Sequence, residues 1–150
     1  LKSNYSFDLA KISDQNILLK WRNNRKIRQS SFKTKIVLKK EHALWFKKRL
    51  KKKNIWIFKK MNKKIGMIRL DKKNENRFEL NYLIDPKYHG KNLGKKMLKT
   101  FFKKTKSKIK IKYVYAKSKN NNLTSFYTLL NSGFKIIKKN SNYHTFRFKI

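Results

Sequence analysis

Polar and apolar residues alternate through Tyr5, Phe7 and Leu9, which predicts a first strand. Ile17, Leu18 and Trp21 then recur at helical spacing behind Ser13, a natural N-cap, and predict a helix running into Trp21-Arg22-Asn23-Asn24. Leu38, His42, Trp45, Phe46 and Leu50 form one stripe with lysines around the rest, predicting a second helix from about Lys39 to Lys52. Ile55 to Ile57 and Ile65 to Leu70 read as strands joined by a turn at Met61-Asn62-Lys63-Lys64, and Arg77 to Ile84 as a third consecutive strand. The middle of the chain is thus an antiparallel meander.

Beyond Pro86 and a Gly-containing loop, Leu93, Met97, Leu98, Phe101 and Phe102 predict a helix to about Lys106. Ile111 to Ala116 is the next strand. Since a helix separates it from Arg77–Ile84, the two are expected as parallel neighbours through a right-handed crossover. A helix over Asn122 to Asn131 is stopped by Ser132-Gly133, and Phe134–Ile137 and Tyr143–Phe148 close the chain as strands. The order is β, α, α, β, β, β, α, β, α, β, β. No repeat or linker interrupts it, so one domain over residues 1–150 is expected.

Composition bounds what such a domain does. There are 43 Lys+Arg against 7 Asp+Glu, a formal net charge of +36, yet Leu, Ile, Val and Phe make up 28% of the 150 residues, enough for a core. With no cysteine, disulfides and thiol nucleophiles are excluded. No apolar run approaches the roughly 20 residues of a membrane span and no secretory h-region follows Leu1, so a cytoplasmic protein is expected. The histidines and acids lack metal-ligand spacing, and no metal is expected. The charge itself reads in two ways. Lysine attracts phosphates and nucleic acid, but 36 of the 43 cations are Lys and only 7 Arg, alongside abundant Asn, Ile, Phe and Tyr, which is also what A/T-rich codons produce.

The most informative stretch is Leu80 to Leu98, where a strand ends in Asp85-Pro86-Lys87-Tyr88-His89-Gly90-Lys91-Asn92 and opens into the helix at Leu93-Gly94-Lys95. Unpaired N–H groups and the positive end of a helix converge on one point there, a cradle suited to a pyrophosphate, with Lys91 and Lys95 adding charge. His89-x-x-Asn92-x-Gly94 resembles the acyl-CoA-binding motif of the GNAT N-acetyltransferases, Arg/Gln-x-x-Gly-x-Gly/Ala, with His89 in place of Arg/Gln and Asn92 in place of Gly. Asn122-Leu123-Thr124-Ser125-Phe126 followed by Ser132-Gly133-Phe134 is similar to that family's second motif, and the element order fits its fold from end to end.

The resemblance implies an α+β fold: a mixed, mostly antiparallel sheet flanked by helices, with a V-shaped gap between strands 4 and 5. It implies acetyl-CoA as donor, held by the backbone of Leu83, Ile84 and Asp85, by His89, Gly90, Lys91, Asn92, Leu93, Gly94 and Lys95, and by Asn122 and Ser125. Transfer is direct, from thioester to a neutral amine. Glu79, the acid in the strand beside the gap, is the candidate base, weighed against a surface Glu facing Lys. The family's thiolate-protonating Tyr is replaced by Leu129, and Tyr127 would serve only on an irregular helix.

For the acceptor, Leu19-Lys20-Trp21-Arg22-Asn23-Asn24, Ile27-Arg28 and Glu41-His42 with Trp45-Phe46 are similar to the subgroup that acetylates amino sugars on nucleotide carriers, as in bacterial pseudaminic acid biosynthesis. That implies the 4-amino group of a UDP-linked amino-dideoxy sugar, bound by Trp21, Arg22, Asn23, Arg28 and His42, with Trp45 and Trp56 available for stacking. Core packing is the competing role for the tryptophans and His42. Three alternatives stay open: acetylation of protein N-termini, including ribosomal ones; a non-catalytic basic nucleic-acid-binding protein; and a GNAT fold kept only as a binding module.

Overall fold

The computed structural model describes residues 4–110 and 112–150. Its strands are β1 (Tyr5–Leu9), β2 (Ile55–Lys60), β3 (Lys63–Asn74), β4 (Arg77–Ile84), β5 (Tyr113–Lys119), β6 (Lys135–Lys139) and β7 (Tyr143–Lys149). The helices are α1 (Gln15–Asn23), α2 (Arg25–Ser30), α3 (Lys39–Lys52), α4 (Leu93–Thr105) and α5 (Leu123–Asn131). The strands hydrogen-bond in the order β1-β2-β3-β4-β5-β7-β6. This is the expected mixed sheet, in which β4 and β5 are the parallel pair. Among the described residues no helix is long and apolar enough to cross a membrane.

Local details differ from the sequence pattern where side chains compete for the backbone. Ser13 is not the N-cap of α1: a 3₁₀ turn, Ile12–Asp14, precedes the helix. Buried Asp14 accepts the Lys11 N–H at 2.8 Å and pairs with Lys64 Nζ at 2.5 Å. The expected helix ends at Asn23, and a further helix, α2, follows that was not expected, because Asn24 accepts the Lys26 N–H at 2.9 Å and so caps it. The β2–β3 connection is a two-residue turn, tighter than expected. Met61 and Asn62 both have left-handed backbone, φ 47° and 67°, the geometry that joins twisted antiparallel strands most compactly. The expected start of β5 at Ile111 lies outside the described residues, and β5 continues past Ala116 to Lys119 because β7 pairs with it all the way, from Tyr113↔Lys149 to Lys119↔Tyr143.

The chain divides into two compact units, to each of which β3 and β4 contribute. The first runs to Arg69 and includes Tyr82–His89. Its core joins Leu18 and Trp21 of α1, Phe46 of α3, and Ile55, Ile57 and Met67 of the sheet, with Ile17, Trp45, Leu50 and Leu83 packed around them. The second comprises Leu70–Asn81 and Gly90–Ile150. There α4 buries Leu93, Met97, Leu98, Phe101 and Phe102. Phe102, Phe134 and Phe148 meet pairwise, with ring centroids 5.0 to 6.0 Å apart.

Phe46 is completely buried in the first core. Truncating such a ring costs about 3–5 kcal/mol through lost transfer energy and the cavity left behind. Urea unfolding of Phe46→Ala is expected to show a loss of that size.

Candidate functional site

The exit of β4 is held by its own backbone. The Asp85 N–H donates to the Ile65 carbonyl at 2.9 Å, continuing the contact with β3. The Asp85 carboxylate accepts the Lys87 N–H at 3.0 Å, and Pro86 opens a 3₁₀ turn, Pro86–Tyr88. His89 Nε2 then donates back to the Ile84 carbonyl at 2.7 Å. Alternate residues of a strand aim their amides to opposite sides. Since Asp85 aims at β3, Ile84 faces away from it, so His89 covers the carbonyl expected to pair with a strand-like ligand. This role for His89 was not visible in the motif, because it depends on the turn bringing residue 89 back to residue 84.

The loop then takes two left-handed steps, Gly90 at φ 78° and Asn92 at φ 57°. Asn adopts this region more readily than other non-glycine residues, so the substitution of Asn92 for Gly leaves the turn intact. Asn92 is also the N-cap residue of α4, yet its side chain makes no capping bond. The first intrahelical bond here is Lys96 N–H to the Asn92 carbonyl at 3.3 Å, which leaves the N–H groups of Leu93, Gly94 and Lys95 without a carbonyl one turn back. The cradle therefore fits an anionic group: an uncapped helix end with its dipole, and Lys91 and Lys95 beside it. A Cβ built on Gly94 would lie 3.1 Å from Thr128 Cγ2, so glycine is what lets α4 and α5 approach here. Asn122 and Ser125 are engaged with each other, the Asn122 carboxamide accepting the Ser125 N–H at 3.1 Å and capping α5.

Glu79 sits at a junction. The registered β4–β5 pairs are Arg77↔Tyr113, Phe78↔Val114 and Glu79↔Tyr115, whereas β4 runs on to Ile84 and β5 to Lys119. The Glu79 carboxylate lies 3.5 Å from Lys73 Nζ and 3.7 Å from Arg77 Nη2, and the Arg77 guanidinium lies 4.2 Å above the Tyr115 ring. A half-exposed carboxylate positioned by two cations, where two strands cease to pair, is able to accept a proton directly or through water. On α5, Leu129 is fully buried and Tyr127 is 56% exposed. The helix is regular over Leu123–Asn131, so the irregularity that a catalytic Tyr127 requires is missing.

The predicted acceptor residues of α1–α3 divide into packed and polar groups. Trp21, 2% exposed, is a core residue with no face left for stacking. Trp45 is packed against the core, and the guanidiniums of Arg49 and Arg69 lie 5.5 and 5.3 Å from its ring. His42, 4% exposed, stacks on Phe46 with its Nδ1 buried and unpartnered. Asn23 clamps residue 37 from both sides, donating to the Val37 carbonyl and accepting its N–H, each at 2.8 Å. Arg22 Nη2 donates to the Lys33 carbonyl at 2.7 Å; Arg28 donates to the carbonyls of Asn23 at 3.0 Å and Thr34 at 3.1 Å. Thus Arg22, Asn23 and Arg28 all fasten the segment between α2 and α3.

A family model described as acetyltransferase (GNAT) domain matches residues 7–135. Among solved structures, the spermidine N-acetyltransferase of Vibrio cholerae in complex with CoA and spermine is 14% identical, with a TM-score of 0.87 over 99% of this chain and 96% of that one. A domain from Methanocaldococcus jannaschii is 24% identical, with a TM-score of 0.85 over 99% and 100%. An aminoglycoside acetyltransferase in complex with coenzyme A and kanamycin is 12% identical, with a TM-score of 0.79 over 97% and 94%. At these identities the likeness is one of fold. No curated protein matches the chain in sequence.

Burial holds the His42 imidazole below its ordinary value of 6.5. The unfolded state therefore binds the proton first as pH falls. The stability contributed by neutral His42 is complete above pH 6.5 and is lost as pH drops toward the lowered native value. Thermal unfolding between pH 7 and 5 is expected to show this loss, and His42→Phe to flatten it.

Proposed function

The chain belongs to the GNAT acetyltransferase family and is an acetyl-CoA-dependent N-acetyltransferase, and from that premise we propose that its acceptor is an amine on an anionic, nucleotide-linked molecule: the 4-amino group of a UDP-linked amino-dideoxy sugar. In this reading residues 1–150 work as one catalytic domain. The observation that carries it is charge. Spermine and kanamycin, present in the solved structures above, are polycations, and a protein of net charge +36 repels them while drawing in a diphosphate.

When bound, acetyl-CoA supplies an activated acyl group. The chain's contribution begins with the uncapped start of α4. The N–H groups of Leu93, Gly94 and Lys95, reached through the turn at Gly90 and Asn92, receive the pyrophosphate, with Lys91 and Lys95 neutralising it. Within Leu83–Asp85 it is the backbone of Ile84, facing away from β3, that offers strand-like pairing to the pantetheine amides, gated by the His89 ring. Glu79 takes the proton that an ammonium must lose to become nucleophilic, directly or through a water.

Gly94→Glu sets bulk and negative charge at the start of α4. It is expected to abolish acetyl-CoA binding in calorimetry with an unchanged circular dichroism spectrum, and unchanged affinity would remove the donor site from Gly90–Lys95. General-base assistance is worth about 10²–10⁴-fold, so Glu79→Gln is expected to lower kcat/KM within that range at neutral pH and by less at high pH, where free amine is abundant. A loss below about threefold assigns deprotonation to water alone. Acetylation of a peptide N-terminus by a protein inert toward UDP-amino sugars would overturn the acceptor and leave the donor in place.

A further inference from the structure

Strands β5, β6 and β7 and the start of β4 belong to the second compact unit, and the sheet they form has two unlike faces. Val114, Ala116 and Ser118 of β5 are buried, and on β7 Phe146 meets Phe126 of α5 while Phe148 meets Phe102 of α4. Both helices therefore lie on that face. Alternation turns Tyr113, Tyr115 and Lys117 of β5, and Arg147 and Lys149 of β7, to the other. Register sets these residues in rows. Arg77, Tyr113 and Lys149 cross three strands, and Glu79, Tyr115, Arg147 and Lys135 cross four. Tyr113 and Tyr115 are half-buried, and Lys117, Lys135, Arg147 and Lys149 are exposed.

This second face is built of rings and cations. The Arg77 guanidinium lies 4.2 Å from the centre of the Tyr115 ring, that of Arg147 4.6 Å from Tyr113, and Lys117 Nζ 5.0 Å from Tyr143, which pairs with Lys119. Two of the chain's seven arginines and three of its seven tyrosines are thus gathered here. A ring holds a cation in place without neutralising it. In the two rows Glu79 is the one carboxylate, against Arg77, Lys135, Arg147 and Lys149.

We propose that this face binds single-stranded nucleic acid, a second function separate from acetyl transfer. Phosphates need cations, and unpaired bases need flat groups to stack on. A sheet face with aromatic rings and guanidinium planes side by side supplies both. Tyr113 and Tyr115 are two residues apart on one strand, about 6.6 Å, so successive bases have separate places to stack. Each guanidinium adds a further stacking plane and a phosphate donor in the same group, which lysine does not. A duplex would meet the cations but keep its bases stacked inside, and an acidic peptide would leave the rings unused. The lysines spread over the rest of the chain add attraction at longer range.

The test uses the full chain without acetyl-CoA, so failure of the donor site leaves its result untouched, and reads the anisotropy of a labelled oligouridylate of about twelve nucleotides at physiological salt. Arg147→Gln and Tyr113→Leu are each expected to weaken binding at least about fivefold with unchanged circular dichroism. Tyr113→Phe, which keeps the ring, is expected to bind like wild type. Lys51, Lys52 and Lys53 changed together to Gln remove three charges and are expected to cost less than twofold. A loss from the lysine triple as large as that from Arg147→Gln overturns the face, as does an RNA duplex bound as tightly as the single strand. Displacement of the oligouridylate by UDP as readily as by its unlabelled copy overturns it too. Oligothymidylate in place of oligouridylate separates DNA from RNA as the source, and an affinity for either that depends on Arg147 and Tyr113 supports the proposal.

Discussion

Forty-three cationic side chains share seven carboxylates in this protein, and that shortage governs how its charged groups are held. Carboxylates appear at joints. Buried Asp14 ties the start of α1 to Lys64, Asp8 pairs with Lys59 between β1 and β2, and Glu79 stands between Lys73 and Arg77. Asp85 closes the turn that leaves β4. With the acids placed there, other arginines meet neutral groups: Arg22 and Arg28 donate to carbonyls of the α2–α3 segment, and Arg147 lies over the Tyr113 ring. Such partners hold a guanidinium without neutralising it. The cations keep their field, and the protein keeps its attraction for anions.

The proposed donor site asks little of side chains. An uncapped helix end, two left-handed residues and a glycine close to a neighbouring helix make the cradle from backbone. Two departures from the family's motif are absorbed without altering it. Asn92 takes the left-handed conformation for which glycine is usual. His89, where the family has Arg or Gln, turns back onto the Ile84 carbonyl. Asn92 makes the left-handed step itself, and His89 makes a hydrogen bond at the edge of the strand.

Periodicity was enough for most of the fold. The stripes of α3 and α4 and the β2–β3–β4 meander were legible because burial on one face imposes a period of 3.6 or 2 on the residues, and the parallel partnership of β4 with β5 because a helix between two strands calls for a crossover. The six-residue α2 was not legible: it buries only Ile27 and depends on the Asn24 cap. Ser13, the expected cap, falls inside the 3₁₀ turn before α1, and Asp14 bonds back to Lys11 and pairs with Lys64, fifty residues away, which no local window contains.

The candidate site shows the same division. The chain alone determined the Gly-containing entry to α4, the presence of one acid in β4, and the leucine that replaces tyrosine at position 129, since each is a matter of residue type at fixed spacing. Only the tertiary structure decided that Trp21 is core, that Tyr127 stands on the exposed side of a regular helix, and that Arg22 lies in the field of Arg28 and Arg69. Composition treats all forty-three cations alike, and the fold is what sets Arg22 beside like charges. Arg69 lies forty-seven residues from Arg22 along the chain and acts on it because α1 packs against the sheet that carries β3.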